Sequence, residues 1–413
     1  MNKKMLYTLG TALVLLSAGC SSDDKGFKGE LIEITSSKTF ELSDDELAAG
    51  KSLSDASVRL MNEVAKNYES CIDPENRKSE NFIMSPLSIC LGTSMVANSI
   101  EGADQAICDL YGVKSVDQIN SLCNKAIRYL SQDMDGTVLK IGNSIWYQQS
   151  HSLDPVYSDI MRDMYFAECN AVDFNSHKTA DIINSWVAAK TRNMIDHVIN
   201  GFDPQTLAVV INALYFQGRW YSVFDPDDTD RQIFRGSKGD NTVDMMHKVY
   251  NGRYASDDDF ESIIFNFKNY CYMQIIMPKK MSAIEASKTI THERVRKLYY
   301  GSQFYDITLS LPSFRQDATV DLNGIIDIPT GGMLSPMGID RIAESIVMQN
   351  RSVIDINEEG GKLASTTFIG LLGADIDEKE PMKVTFTVDR PFLFFITDYK
   401  TGLTLMSGRI CNL

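Results

Sequence analysis

Residues 355–367 read DINEEGGKLASTT, and the apolar run RPFLFF follows at residues 390–395. The first stretch passes from a β-branched segment through an acidic pair and two glycines to small and hydroxyl-bearing residues. Small uncharged side chains suit a strand that must bury one face, because burying an unpaired charge is costly. The run at 390–395 is apolar enough to lie in a core. The first stretch therefore predicts a strand that is not yet part of its sheet.

Composition is that of an ordinary globular protein. The chain has 413 residues, of which 44% are apolar, which is enough for one large core or two modest ones. Its net charge of -15 argues against binding to nucleic acid or to an anionic membrane surface, since such binding depends on Lys and Arg. We therefore expect an acidic, soluble body.

The first twenty residues form a separate segment. Lys3 and Lys4 precede an apolar run at 6–16, and the sequence SAGC ends at Cys20. The run is too short to span a bilayer and is typical of a bacterial export signal, although a buried N-terminal helix is the alternative. The end of the segment resembles a lipobox, which implies removal of residues 1–19 and acylation of Cys20.

The polar tract at 21–25 follows directly, and it is either a solvated tether or a surface-export signal resembling that of lipoproteins from the Bacteroides group. The lipid anchor is then the chain's only membrane contact. We expect an outer-membrane lipoprotein exposed at the cell surface, or otherwise a periplasmic protein.

Cysteine and histidine patterns predict no metal, cofactor or disulfide framework. The seven cysteines after Cys20 show neither CxxC nor zinc-ligand spacing, and most are expected to be small buried hydrophobes. The five histidines are scattered, which favours surface or packing roles. The chain contains no GxGxxG, Walker or GxSxG motif.

The expected folded domain is residues 43–413, preceded by a linker at 20–42. Ser43 and Glu46 can form a capping box, and apolar spacing predicts a helix over about 55–68. The polar tract at 71–80 is predicted to be a loop.

Two segments are expected to meet in the core. Residues 81–89 predict a short strand followed by a helix that Ser85 caps. Residues 209–220 predict a buried strand that carries one amide, Asn212. That amide needs hydrogen-bond partners, and the hydroxyls of Ser85 and Ser88 could supply them.

Five motifs occur in one order along the chain: 81–89, 210–220, 357–360, 391–395 and 408–409. In order and separation they resemble the serpins, and the resemblance covers residues 43–413. It implies a single α+β domain with one large central β-sheet, two further sheets, about nine helices and an exposed reactive-centre loop.

The resemblance also implies suicide-substrate inhibition by a monomer without catalytic residues of its own. A serine protease, with cysteine proteases as a further target class, attacks a loop bond and forms a covalent acyl-enzyme. The cut loop then inserts into a sheet and distorts the protease.

By the same resemblance, the hinge of the loop includes an acidic pair, a glycine pair and small residues. Gly361 replaces the usual Thr or Ser, and Leu363 replaces a small residue, which leaves open whether insertion outruns hydrolysis of the acyl-enzyme. Alternation from Gly361 turns Lys362, the only charged residue within 361–367, outward. The hinge residues are Glu358, Glu359, Gly360, Gly361, Ala364, Ser365, Thr366 and Thr367.

Spacing in inhibitory relatives places the attacked residue sixteen positions after Glu358, which predicts cleavage between Ala374 and Asp375. Counting back from Pro391 by the spacing of a typical relative reaches the neighbourhood of Glu380 instead, so this loop is about six residues longer than in such relatives. We place the extra residues, 376–381, after the cut bond. Leu371 and Leu372 are further alternatives. Small and aliphatic residues before the bond favour elastase-like or subtilisin-like targets.

The cluster that controls sheet opening in relatives also has counterparts here. Asn350 stands where many relatives have His, and Ser313 stands where a basic partner of Glu358 is usual, which predicts loss of that ion pair. The predicted cluster is Ser85, Ser88, Asn212, Asn350 and Trp220.

Two other functions stay open. Gly361 and Leu363 motivate a non-inhibitory serpin-fold protein that binds a partner at the cell surface. A surface enzyme is the third possibility, but the sequence shows no catalytic constellation for it.

Overall fold

The computed structural model describes residues 40–132, 138–268, 270–329, 331–344, 346–358 and 382–413. The predicted signal segment and Cys20 lie outside these residues, as does the linker up to residue 39. The loop positions outside them are Glu359, Gly360, Gly361, Ala364, Ser365, Thr366, Thr367, Leu371, Leu372, Ala374, Asp375 and Glu380.

The described residues form ten α-helices and fourteen strands. The helices are α1 Asp44–Lys66, α2 Tyr68–Cys71, α3 Pro74–Ser79, α4 Pro86–Ala97, α5 Ala103–Tyr111, α6 Val116–Leu130, α7 Pro155–Tyr165, α8 Lys178–Lys190, α9 Ala283–Thr289 and α10 His292–Tyr300. The strands are β1 Phe82–Met84, β2 Val138–Gln148, β3 Ala167–Val172, β4 Ala208–Gln217, β5 Asp230–Gly236, β6 Gly239–Ser256, β7 Phe260–Asn266, β8 Cys271–Pro278, β9 Gln303–Pro312, β10 Phe314–Asp321, β11 Gln349–Ile356, β12 Lys383–Thr387, β13 Phe392–Asp398 and β14 Thr404–Ile410. None of these helices combines the length and hydropathy that a membrane crossing requires.

The strands form three sheets, which confirms the predicted α+β class. The largest has nine strands in the order β1-β14-β13-β8-β7-β6-β9-β12, with β5 beside β6. The other two are β3-β2-β4 and β10-β11. Strand β13 carries most of the run at 390–395, and every one of its residues is buried between β14 and β8.

The first long helix begins earlier than the sequence predicts. Ser43 and Glu46 form the expected capping box, with distances of 3.3 Å from the Glu46 N–H to Ser43 Oγ and 2.7 Å from the Ser43 N–H to Glu46 Oε2. However, α1 starts at Asp44, so the predicted start near residue 55 is wrong. Gly50 lowers the helical propensity of this turn. A Cβ at Gly50 would lie 2.5 Å from the Thr401 carbonyl oxygen, so its absence permits close packing.

The prediction of a loop over residues 71–80 is also partly wrong, since this range contains α3. The Asp73 carboxylate accepts a hydrogen bond from the Asn76 N–H at 3.0 Å, and Pro74 occupies the first helical position. No residue of α3 is buried, so its sequence carries no apolar period.

The seven cysteines of the described ranges are free thiols. Six are buried, and Cys169 is half-buried. They pack as small apolar side chains, as the sequence predicts.

Candidate functional site

The candidate site is an opening between β4 and β11. Each strand is paired along one edge only within the described residues, β4 with β2 and β11 with β10. At one end, Asn212 of β4 and Asn350 of β11 contact the same turn of chain. At the other end, Phe216 and Ile356 line one void of about 20 Å³. The two strands therefore run side by side in the same direction, and their facing edges pair with no other strand of the described ranges.

The geometry suits strand insertion. A chain that leaves β11 at its upper end, after Ile356, must reverse direction to enter the opening. It would then lie antiparallel to both neighbours and could pair with both free edges. The segment that leaves β11 is the one whose sequence predicts an uninserted strand.

The lower end of the opening, where Asn212 and Asn350 lie, is formed by the turn at Ser85 and Ser88. Ser85 follows β1 as the N-cap of α4, where its hydroxyl accepts from the Ser88 N–H at 3.2 Å and donates to the Leu405 carbonyl at 2.7 Å. Pro86 at the first helical position requires no hydrogen bond there. This buried turn presents Ser85 to β11 and Ser88 to β4.

On the β4 side, the Ser88 hydroxyl donates to Asn212 Oδ1. The Asn212 amide donates in turn to Asn143 Oδ1 on β2 at 2.7 Å, and Asn143 donates to the Tyr165 carbonyl at 2.6 Å. Ser88 thus partners Asn212 as the sequence suggests, whereas the contact of Ser85 is with Asn350. Sequence reasoning missed Asn143, although a polar residue inside a strand run was a usable signal.

On the β11 side, Asn350 Oδ1 accepts from the Ser85 N–H at 2.9 Å and from the Ser352 hydroxyl at 3.0 Å. Asn350 is buried. The amide oxygen of Asn350 therefore serves as the hydrogen-bond acceptor on the β11 side of the opening. The turn at Ser85 and Ser88 connects β4 to β11 from the core side of the opening.

Trp220 closes the upper end. Its indole N–H donates to the Asn357 carbonyl at 2.9 Å, and its ring stacks on Phe267 with centroids 4.2 Å apart and planes 11° apart. A Cβ at Gly218 would lie 2.5 Å from the Phe267 ring, so the glycine permits this packing. Trp220 is only 1% exposed, and it holds the chain where it leaves β11.

Glu358 is the only predicted hinge residue that lies within the described ranges, and a hydroxyl group binds it. Its carboxylate accepts from Thr229 Oγ1 at 2.8 Å. Ser313, where the resemblance would place a basic partner of Glu358, instead uses its N–H to donate to the Asp244 carbonyl at 2.8 Å. Sequence reasoning missed Thr229, which lies between a short 3₁₀ turn and β5 and has no distinguishing pattern.

A serine, a histidine and an aspartate also lie in a row elsewhere. His247 Nδ1 is 2.9 Å from Ser310 Oγ, and His247 Nε2 is 3.1 Å from Asp230 Oδ1. A hydrolase would need the serine oxygen open to substrate, but Ser310 is only 8% exposed. The row joins β5, β6 and β9, and we assign it a packing role. Across the described ranges, no group of three or more His, Cys, Asp or Glu is arranged to hold a metal.

These features define a fold in which the sheets β3-β2-β4 and β10-β11 face each other across an opening, beside the point where the chain leaves β11. The family model described as Serpin (serine protease inhibitor) matches residues 54–413, so the chain belongs to the serpin family.

Similar proteins include inhibitors and a binding protein. Leukocyte elastase inhibitor A of Mus musculus is 28% identical over 364 residues, covering 82% of this chain and 94% of that protein. The native thermophilic serpin tengpin has a TM-score of 0.76 at 24% identity and covers 92% of this chain and 98% of its own. Human thyroxine-binding globulin complexed with thyroxine has a TM-score of 0.76 at 19% identity and covers 89% and 99%. Serpins are mostly protease inhibitors, but the family includes non-inhibitory members.

Proposed function

We propose that this protein is a suicide-substrate inhibitor of serine proteases, with cysteine proteases as a further target class. The observation that carries the proposal is that β4 and β11 face each other with edges to which no other described strand pairs. The segment rich in small residues follows directly after β11 in the sequence. The nucleophile of the target protease attacks a loop carbonyl, the peptide bond breaks, and the new amino terminus leaves. Insertion of the acylated loop then displaces the protease before water attacks the ester or thioester.

The proposed reactive bond joins Ala374 to Asp375. Leu371, Leu372 and Gly373 precede Ala374 and suit proteases that accept aliphatic or small residues. We therefore propose elastase-like or subtilisin-like targets.

The proposed location is the outer surface of a bacterial outer membrane, through acylation of Cys20. Incorporation of labelled palmitate into the full-length chain, and its loss in Cys20→Ser, would support this location. Equal labelling of both proteins would refute acylation at that position.

The proposed inhibition is tested by mixing the protein with neutrophil elastase, subtilisin, trypsin and papain. An SDS-stable complex with elastase or subtilisin is expected, together with a C-terminal fragment that begins at Asp375. Cleavage by all four proteases without any stable complex would refute inhibition.

A matched pair of loop variants tests insertion itself. By alternation from Gly361, Ser365 faces inward and Thr366 faces outward in the inserted strand. Ser365→Arg should therefore be cut as a substrate, whereas Thr366→Arg should still form complexes, because only the first buries a charge. Equal behaviour of the two variants would contradict insertion in this register.

Gly361 and Leu363 favour a second candidate, a non-inhibitory binding protein of the same fold. Such a protein would be cut by the proteases without forming complexes, and cleavage would not raise its melting temperature.

A further inference from the structure

A helix and the segment after it cross the outer face of the opening. Side chains of β11 alternate, with Asn350, Ser352, Ile354 and Ile356 buried toward the core and the intervening residues less buried on the outer face. Helix α8 lies over β2 and β4 on that outer face. Residues 191–199, here called the outer segment, follow α8 and reach toward β11.

Arg351 of β11 makes the polar contact with this segment. Its Nη1 donates to the His197 carbonyl, and its Nη2 lies 3.9 Å from Asp196 Oδ1. The same guanidinium also donates to the Asp317 carboxylate of β10, from Nε at 3.2 Å and from Nη2 at 2.8 Å. We call the contact between Arg351 and the His197 carbonyl the outer tie.

The outer segment is fastened to α8. Asn184 Oδ1 accepts from the N–H groups of Val198 and Ile199 at 2.8 and 3.1 Å, and its amide donates to the Ile199 carbonyl at 2.8 Å. Thr191 Oγ1 accepts from the Ile195 N–H at 3.1 Å. Because the side chains of Asn184 and Thr191 hold the outer segment at two places, the segment and α8 form one body.

That body is attached much more firmly to one side of the opening. The Trp186 indole and Lys190 of α8 bind the buried Glu168 of β3 at 2.9 and 2.6 Å. An apolar cluster joins α8 to β2 and β4 and includes Trp146, Ile183, Trp186, Ile211 and Ala213. Toward β10 and β11 the contacts are the outer tie, the Arg351–Asp196 ion pair at 3.9 Å, Val353 at the edge of the cluster, and an Arg315 Nη1 to Met194 Sδ contact at 3.5 Å.

We infer that Arg351 is a positioning residue that restrains sheet opening and is released during it, while α8 and the outer segment stay with β4. Inserting one strand widens the spacing of its neighbours by about 4.8 Å, which a hydrogen bond across the opening cannot follow. The outer tie must therefore break. Asp317 moves with β11 and keeps the released guanidinium paired, and Asp196, which loses its contact with Arg351, is exposed to water, so no buried charge is left without a partner. The effect on insertion rate rests on the proposed function.

The test compares Arg351→Met with Arg231→Met, which removes the same charge from an exposed pair with Asp244 on β6. Arg351→Met should raise amide hydrogen exchange in residues 349–356 of the intact protein but not in 191–199, which Asn184 still holds. After loop cleavage it should insert about tenfold faster, because one charge-assisted hydrogen bond across the opening is gone. Arg231→Met should match the wild type in both measurements.

The inference would be overturned if Arg351→Met left both the amide hydrogen exchange of β11 and the insertion rate unchanged. It would also be overturned if the variant raised amide hydrogen exchange throughout α8 and residues 191–199. If Arg351→Met does not fold, Arg351→Lys keeps the charge but has a single nitrogen to serve both Asp317 and the His197 carbonyl, so the outer tie is weakened and a smaller change in the same direction is expected. If the wild type itself never inserts after cleavage, the proposed function fails, whereas the exchange comparison still tests the outer tie.

Discussion

The indole N–H of Trp220 donates to the Asn357 carbonyl at 2.9 Å, so a residue beyond the end of β4 fixes the chain where it leaves β11. The next residue, Glu358, is held separately by Thr229. Two hydrogen bonds thus fasten the start of the predicted hinge at the upper end of the opening. Entry of the hinge into the opening requires both to break or rearrange.

Replacing Thr229 by Val should loosen the hinge, because Val keeps the shape but cannot donate to the Glu358 carboxylate. We expect a loss of about 0.5–1.5 kcal/mol in unfolding free energy, as for one hydrogen bond, and faster insertion after loop cleavage. Urea unfolding and the time course of the melting-temperature change measure these effects. Thr229→Ser keeps the donor and should behave as the wild type, and a Val variant that inserts no faster would contradict this role.

Removing the Ser88 hydroxyl should destabilise the lower end of the opening. In Ser88→Ala, Asn212 Oδ1 loses its donor while the Asn212 amide still binds Asn143, so about 1–3 kcal/mol should be lost. A double-mutant cycle with Asn212→Ala should give a coupling energy well above zero. Additive effects of the two changes would show that this contact contributes nothing.

Glu46 should make the protein acid-sensitive. Burial favours its neutral form, but hydrogen bonds from Lys125, Ser121 and Ser43 outweigh burial and lower the pKa to about 2. Because the folded pKa lies below the ordinary value of 4.5, this stabilisation is present above about pH 5 and is lost as the pH falls toward 2.

Glu46→Gln should therefore cost about 1.5–3 kcal/mol at pH 7 and much less near pH 3, as measured by urea unfolding at each pH. Asp45→Asn, which breaks an exposed pair with Lys114, should cost less than about 1 kcal/mol. A cost of Glu46→Gln that does not change with pH would contradict the assigned ionisation.

Two helical glycines should respond in opposite directions to alanine. Gly50→Ala brings a Cβ to 2.5 Å from the Thr401 carbonyl oxygen and should destabilise the protein, whereas Gly92 in α4 has no neighbouring atom within 4 Å of a built Cβ. Gly92→Ala should raise the unfolding free energy by about 0.5–1 kcal/mol through helix propensity. Thermal unfolding of both variants decides the matter, and a stabilising Gly50→Ala would contradict the close packing.

Local chemistry explains which parts of the site were predictable. The cap at Ser85 and the need of Asn212 for a partner follow from residues near them in sequence, so both could be inferred. Asn143 and Thr229 act only through segments that are distant in sequence. Arg351 binds a main-chain carbonyl, and a carbonyl partner leaves no pattern in the sequence. Gly50 has low helical propensity and so argues against a helix there, although its role is to permit close packing against Thr401. The helix start and the outer tie therefore required the structure.

The central claim is that the opening between β4 and β11 accepts the cut loop. Its most direct test is the melting temperature of the intact protein and of the same protein after a protease has cut the loop within residues 359–381. The cut protein should melt well above the intact one, because the inserted strand pairs with both free edges. An equal or lower melting temperature after complete cleavage would contradict insertion and with it the proposed inhibitory mechanism.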